Sequence, residues 1–460
     1  MGGRTRTAAG RAARRWRPRH ARPVRNARGT VERPRRIIAG TVPDRAPSPH
    51  RAALGVLALC TTINVVSRGV GESFAVFLLP VAEAFGADRG ALTGVYGLYM
   101  LVLGLMSPIA GIAFDRLGPR ATYAIGLAVF GLAYLLAGSV DALWQVYLLV
   151  GLGGAVGASM IGMLPASGLA SRWFGARLPV AMGVLSASLG VGILLFAPLV
   201  HALIDAYGWR AAYRVLGALL LVVLAATVPL PWRRIAAGAD DVARARRAAA
   251  ASAPAWSIGR ALRTPTFWSL FGVMFFTSMS TYAVAPQLVA YLVSAGVPPL
   301  RAASVYGTVG LASIVGMIGA GALAQRIGER RVAMLSYGST LAGVAALAMV
   351  RHAEPLAFAA LFVLLFGTMQ GSRGPLVAVL SARHFAGGSQ TGIFGAILLG
   401  MGTGGALGAW GSGELYDLTR DYDASLALSA LGAACGLALF LRVPVLGGGR
   451  PGPAAADSAR

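Results

Sequence analysis

Gly111-Ile-Ala-Phe-Asp115-Arg116-Leu-Gly118-Pro-Arg120 and Gly321-Ala-Leu-Ala-Gln325-Arg326-Ile-Gly328-Glu-Arg330 are the two stretches around which the rest of the chain arranges itself. Glycine, arginine, glycine and arginine coincide between them at a constant offset of 210 residues. Gln325 stands in the second copy where the first has Asp115. A second pair of echoes follows, Ser171-Arg172-Trp173-Phe174 and Ala382-Arg383-His384-Phe385. The sequence is therefore built as two related halves in the same orientation.

Working outward from these segments, each lies between apolar runs. The chain has 460 residues, 56% of them hydrophobic and 13% charged, with a mean hydropathy of +0.66. Soluble domains carry about 25% charged residues, so the composition excludes an ordinary soluble enzyme and fits an integral membrane protein. Twelve runs are long enough to cross about 30 Å of hydrocarbon. Their limits are 54–79, 91–113, 121–138, 143–167, 179–203, 211–231, 266–292, 301–323, 331–350, 356–380, 391–412 and 424–441, and they are numbered spans 1 to 12 below.

The organisation expected is an Arg-rich disordered cytoplasmic tail (1–51), a six-helix bundle (52–231), a cytoplasmic central loop (232–265), a second six-helix bundle (266–442) and a cytoplasmic tail (443–460). The tail has no apolar core of a secretory signal peptide. All 41 basic residues are arginine, 15 of them in residues 1–51. Of the 26 others, 18 fall on the side of the Asp115 loop, six on the opposite side and two, Arg68 and Arg373, within spans. The excess of arginine predicts that this side, and with it both termini, is cytoplasmic. The net charge of +24 comes largely from the tail and is not read as a nucleic-acid footprint. Cys60 and Cys435 both lie in apolar runs, so neither a disulfide framework nor a metal site is indicated, and no cofactor is expected.

With these motifs, the chain resembles the major facilitator superfamily, for which G-x-x-x-D-R-x-G-x-R after the second span is diagnostic. The resemblance covers about 390 residues, from Arg51 to Arg442. Finer features are similar to the monocarboxylate-transporter and oxalate/formate-antiporter branch: Ser73-Phe74-Ala-Val-Phe77 in span 1, Tyr207-Gly208-Trp209-Arg210 before span 6, Thr264-Pro265-Thr266-Phe267-Trp268 at the start of span 7, and Gly371-Ser372-Arg373-Gly374-Pro375 in span 10. The adjacent Gly-Pro pattern of drug antiporters is absent from span 5, which reads Gly190-Val-Gly192. The resemblance implies an all-α fold of twelve transmembrane helices in two six-helix repeats, working as a secondary transporter that rocks around a midplane site. It also implies that spans 1, 4, 7 and 10 line the cavity. Asp115 would hold the halves together at the cytoplasmic side, with Gly111, Arg116, Gly118, Arg120 and the copy Gly321, Arg326, Gly328 and Arg330 completing the gate.

Ionisable residues inside a span are costly and mark function by default. Arg68 and Glu72 lie i,i+4 on one face of span 1, with Asn64 one turn earlier. Arg373 and Gln370 share a face of span 10. Arginine suits a carboxylate because its planar fork offers two parallel donors and keeps its charge. The expectation is an anion clamp made by Arg68 and Arg373, with Glu72 neutralising Arg68 in the empty site or carrying a coupled proton. A self-satisfied Arg68–Glu72 pair that only fixes packing is the competing reading. Ser278 and Tyr282 on span 7 are expected as hydroxyl donors, whereas Tyr96 and Tyr99 read as packing residues.

The function expected is transport of a small carboxylate-like anion across a bacterial-type inner membrane, by a multi-pass monomer, with a proton or in exchange. The alternative is proton-coupled efflux of an apolar or drug-like compound through Glu72. No H-E-x-x-H or G-x-S-x-G motif supports a membrane enzyme; the partners expected are the anionic solute, a proton and the lipid bilayer, and nucleic acid is not expected.

Overall fold

The computed structural model describes residues 49–175, 177–239, 242, 256–352, 354–385 and 390–442. The expected tail, the middle of the central loop and the C-terminal tail thus lie mostly outside the described residues.

The described chain is helical. Ten helices are long and apolar enough to cross a bilayer. Two of them, Arg89–Ala137 with 49 residues and Leu178–Thr227 with 50, would each run roughly 75 Å at 1.5 Å per residue, more than twice the hydrocarbon thickness. Neither is continuous. Gly118 (φ 79°, ψ 167°) breaks the first and Gly208 (φ 79°, ψ 162°) the second, in a backbone region open to glycine and closed to most other residues. Gly328, 210 residues after Gly118, has the same conformation at φ 89°, ψ 152°. The repeat extends beyond the loop motif. Gly86 and Gly296, also 210 apart, both have positive φ, as do Gly208 and Arg420, 212 apart.

The helices extend past several predicted limits. The helix of span 4 continues to Trp173 and that of span 1 to Phe85, because hydrogen bonding along the backbone carries on for a turn or two after the apolar run ends. Spans 1, 4, 7 and 10 are all interrupted. Span 1 breaks at Ser73, between Pro49–Glu72 and Phe74–Phe85. Span 7 breaks at Ala285–Gln287, between Pro265–Val284 and Leu288–Ser294. Span 4 carries a π-helical stretch at Tyr147–Gly153 and span 10 one at Val363–Gly367, a local widening that recurs at functional sites.

The two halves of the chain meet along two seams. Span 2 packs on span 11 where Gly104 faces Gly402, so closely that a Cβ built on Gly402 would lie 2.7 Å from the Gly104 Cα. Span 5 meets span 8 in the same way through Gly190 and Gly310. Small residues at such seams let backbones approach without interlocking side chains. At the Asp115 end the seams part: a Cβ on Gly111, Gly183 or Gly395, each seven residues along the same helix face from a seam glycine, would meet nothing within 4 Å. Parts of the central loop dock separately on the two halves. Trp232 stacks on Tyr123 with ring centroids 5.8 Å apart, and Trp256 meets Phe385 edge-on at 5.1 Å.

Candidate functional site

The break in span 1 creates the site. Glu72 is the last residue of Pro49–Glu72, so its side chain and its backbone carbonyl both emerge where the helix gives way. The side chain is 5% exposed. A carboxylate at such a position needs donors, and two tyrosines provide them. Tyr96 of span 2 donates to Oε2 at 2.8 Å, and Tyr282 of span 7 to Oε1 at 3.4 Å. Tyr306 of span 8 donates to the Glu72 backbone carbonyl at 3.4 Å. One acidic residue is thereby held by hydroxyls from both halves of the chain.

Arg68 lies one turn earlier, its Nη1 3.9 Å from Glu72 Oε1. That is an ion pair without a hydrogen bond. The Arg68 side chain is 25% exposed, and its fork donates no hydrogen bond among the described residues. Around the pair the aromatic rings stack: Phe74 on Tyr96 at 5.2 Å, Tyr96 on Tyr99 at 5.6 Å and Tyr96 against Tyr282 at 5.7 Å. The Tyr99 hydroxyl occupies the space beside Gly71. The cluster therefore joins a loosely held cation, a buried acid and tyrosine hydroxyls, suited chemically to exchanging one carboxylate for another on Arg68.

Of the other expected residues, Tyr282 joins this cluster and Ser278 is buried on the same helix. Asn64 turns back on its own helix, donating to the Cys60 carbonyl at 2.9 Å. Arg373 departs from the expected clamp. It is 1% exposed and bound within the C-terminal half to span 9. Its Nε donates to Ser336 Oγ and its Nη2 to the Ser336 carbonyl, both at 2.9 Å, with a further bond to Thr340 Oγ1. The guanidinium lies 4.0 Å from the Tyr337 ring centroid. Only Nη1 is left without a hydrogen-bond partner among the described residues. Among the described residues Arg68 and Arg373 share no partner, because Arg373 begins the second segment of the broken span 10 and its fork is taken up by the hydroxyl-bearing face of span 9. Gln370, before the break, is partly buried.

The gate residues also separate. Asp115, Arg116 and Arg120 are exposed and make no side-chain hydrogen bond or ion pair among the described residues, as expected where the seams have parted. In the second copy Arg326 is exposed, and Arg330 donates to the Leu441 carbonyl at 2.8 Å. Gly321 lies within Pro299–Ile327, and its surroundings fall outside the described residues. Glu329 pairs with Arg383 at 2.9 Å.

Sequence reading missed Tyr306 and took Tyr96 for packing. Each is an aromatic in an apolar run, and nothing in its neighbourhood along the chain signals an acid across the helix interface.

Comparison with known proteins places these features in a family. The family model described as Major Facilitator Superfamily matches residues 57–409. Monocarboxylate transporter 13 of Bos taurus is 27% identical over 377 residues, covering 82% of this chain and 85% of that protein. Monocarboxylate transporter 11 of Homo sapiens is 27% identical over 400 residues, covering 85% and 82%. The oxalate:formate antiporter of Oxalobacter formigenes is 25% identical over 325 residues, covering 69% and 74%.

Proposed function

The chain belongs to the major facilitator superfamily, and from that premise we propose that it carries a small carboxylate across the membrane by alternating access, with Arg68 as its anion-binding residue and Glu72 as its proton carrier. It is a multi-pass membrane transporter and not an enzyme. Its relatives are named for monocarboxylates and for oxalate and formate, which supports an anionic solute for this chain.

Counting the two helices broken at Gly118 and Gly208 as two spans each raises the ten apolar helices to twelve. On this reading the boundaries are bundles at 52–231 and 266–442, with both termini and the Asp115 end in the cytoplasm of a bacterial-type cell. The described conformation is then open inward.

One observation carries the proposal: at 3.9 Å the Arg68–Glu72 contact is too long for a hydrogen bond, and it sets a half-buried arginine beside a carboxylate that tyrosines of both halves already hold. With both charged, the pair is neutral. An incoming carboxylate takes the fork of Arg68 and leaves one negative charge in excess, which a proton on Glu72 cancels. Tyr96 and Tyr282 can serve either state of the acid, since a hydroxyl donates or accepts. We assign Arg373 a positioning role for spans 9 and 10 in this conformation, with Gln370 beside the same break. Ser278 lies on the substrate side of span 7 in this scheme.

Uptake of labelled lactate, formate and oxalate into proteoliposomes, with and without an inward proton gradient, tests the reading. Gradient-driven accumulation of at least one of them is expected. No uptake and no exchange of any carboxylate, in protein that is folded and inserted, would remove it.

A further inference from the structure

At the end of the molecule opposite Asp115, the last turn of span 11 closes over the first turn of span 2. Asp417 Oδ1 accepts from the backbone amide of Arg89 at 3.1 Å, and its Oδ2 accepts from the amide of Gly90. Arg89 and Gly90 open the helix Arg89–Ala137, so their amides have no partner inside it, and the helix dipole favours an anion there. The Asp88 cap leaves its side chain unused for this purpose, and the carboxylate comes from the other half of the chain instead. Aromatic rings support the contact. The Arg89 guanidinium lies 4.1 Å from the Tyr416 ring centroid and 5.1 Å from that of Tyr422. Arg351, paired with Asp421, covers the Tyr422 and Tyr291 rings.

Spans 2 and 11 run antiparallel, so the C-terminal end of each lies beside the N-terminal end of the other. Each ends in an aspartate: Asp417 two residues before the last residue of Gln390–Thr419, and Asp115 three residues before the break at Gly118. Between them the helices touch at Gly104 and Gly402. Asp417 is engaged while Asp115 is exposed and unpaired among the described residues.

We infer that Asp417 is the lock of this conformation, and that Asp417 and Asp115 form a two-position latch in which only one carboxylate is engaged at a time. The Gly104–Gly402 contact acts as the fulcrum. Closing one end of the antiparallel pair parts the other, so the balance between the two aspartates sets which side of the carrier is open. This goes beyond the substrate reading and requires only that the two halves move.

The test is a distance distribution measured by pulsed electron paramagnetic resonance on the full chain. Spin labels replace Tyr207 and Leu300, which are 73% and 53% exposed at the Asp417 end of spans 5 and 8, in a background of Cys60→Ala and Cys435→Ala. Asp417→Asn is expected to raise the long-distance population about three- to tenfold, the scale of a charge at a helix N-terminus, and Asp115→Asn to lower it. Arg89→Pro against Arg89→Ala gives a second reading. Proline fits the first helical position but has no amide hydrogen, and Asp88 before it already has φ −64°, ψ 157°, as a residue preceding proline requires. The proline variant should open the Asp417 end further than the alanine variant. Unchanged distributions in Asp417→Asn, or in the proline–alanine comparison should Asp417→Asn not fold, overturn the latch. No substrate enters the measurement, so its failure is separate from failure of the carboxylate assignment.

Discussion

The hydroxyl of Tyr282, in the C-terminal half, reaches the carboxylate of Glu72, in the N-terminal half, at 3.4 Å. The two residues are 210 positions apart in sequence, and their contact crosses the interface that must rearrange in a rocking carrier. The proton carrier proposed here thus touches both moving parts.

Removing the cation should weaken anion recognition. Arg68→Ala is expected to lower carboxylate transport about 10- to 100-fold, the equivalent of a charge-assisted contact worth roughly 1.5–3 kcal/mol. Arg68→Lys should retain part of the rate, since it keeps the charge but loses the fork. Initial uptake rates against concentration in proteoliposomes check this. Unaltered kinetics in Arg68→Ala would refute the assignment.

Replacing the acid should separate transport from its driving force. In the proposed cycle the anion enters with a proton on Glu72, so the transport rate should fall as pH rises through the titration of that group. Glu72→Gln mimics the protonated acid at every pH. It should exchange carboxylates across the membrane with little dependence on pH, and should fail to accumulate them against a gradient. Counterflow and gradient-driven uptake, measured side by side between pH 5 and 8, distinguish the two activities. A variant that still concentrates substrate would assign the proton elsewhere.

Arg373 should behave unlike Arg68. Its donors are engaged by Ser336 and Thr340, but the Ser336 hydroxyl also donates to the Met369 carbonyl and the Ser336 carbonyl also accepts from Thr340, so removing the guanidinium leaves these groups partnered. Arg373→Met is therefore expected to fold and to retain carboxylate affinity within about threefold, with any loss appearing in turnover. A selective collapse of affinity in folded Arg373→Met would restore the two-arginine clamp.

The glycine seam gives a steric prediction. A Cβ on Gly402 would lie 2.7 Å from the Gly104 Cα, against backbone that cannot turn aside. Gly402→Val should cost roughly 1–3 kcal/mol of stability by overpacking and reduce transport further than stability alone explains. Thermal unfolding of the detergent-purified variant, set against its uptake rate, reads both effects.

The fold was legible because its determinants are local or periodic. Apolar runs long enough for a bilayer, and the Gly111 and Gly321 segments at a fixed offset, need no knowledge of tertiary contacts. The Arg68–Glu72 pair was legible for the same reason, as an i,i+4 relation within one helix. Tyr306 and Tyr96 were not, since a tyrosine in an apolar run looks the same whether its hydroxyl meets an acid or a backbone carbonyl. Arg373 shows the converse. Its charge was conspicuous, but its partners Ser336 and Thr340 are small hydroxyl residues indistinguishable from ordinary helix-packing positions. The glycines at 86 and 296 share a backbone shape, and their immediate neighbours differ, although Val95-Tyr96-Gly97 and Val305-Tyr306-Gly307 shortly after them repeat at the same offset of 210.

The bond from Tyr306 to the Glu72 carbonyl exists because span 1 breaks at Ser73. An unbroken helix would have kept that carbonyl for its own ladder. The opposite half therefore grips span 1 by its main chain, directly beneath the acid. A substitution at Glu72 erases the carboxyl but leaves this handle, so mechanical communication between the halves should outlive the loss of proton chemistry.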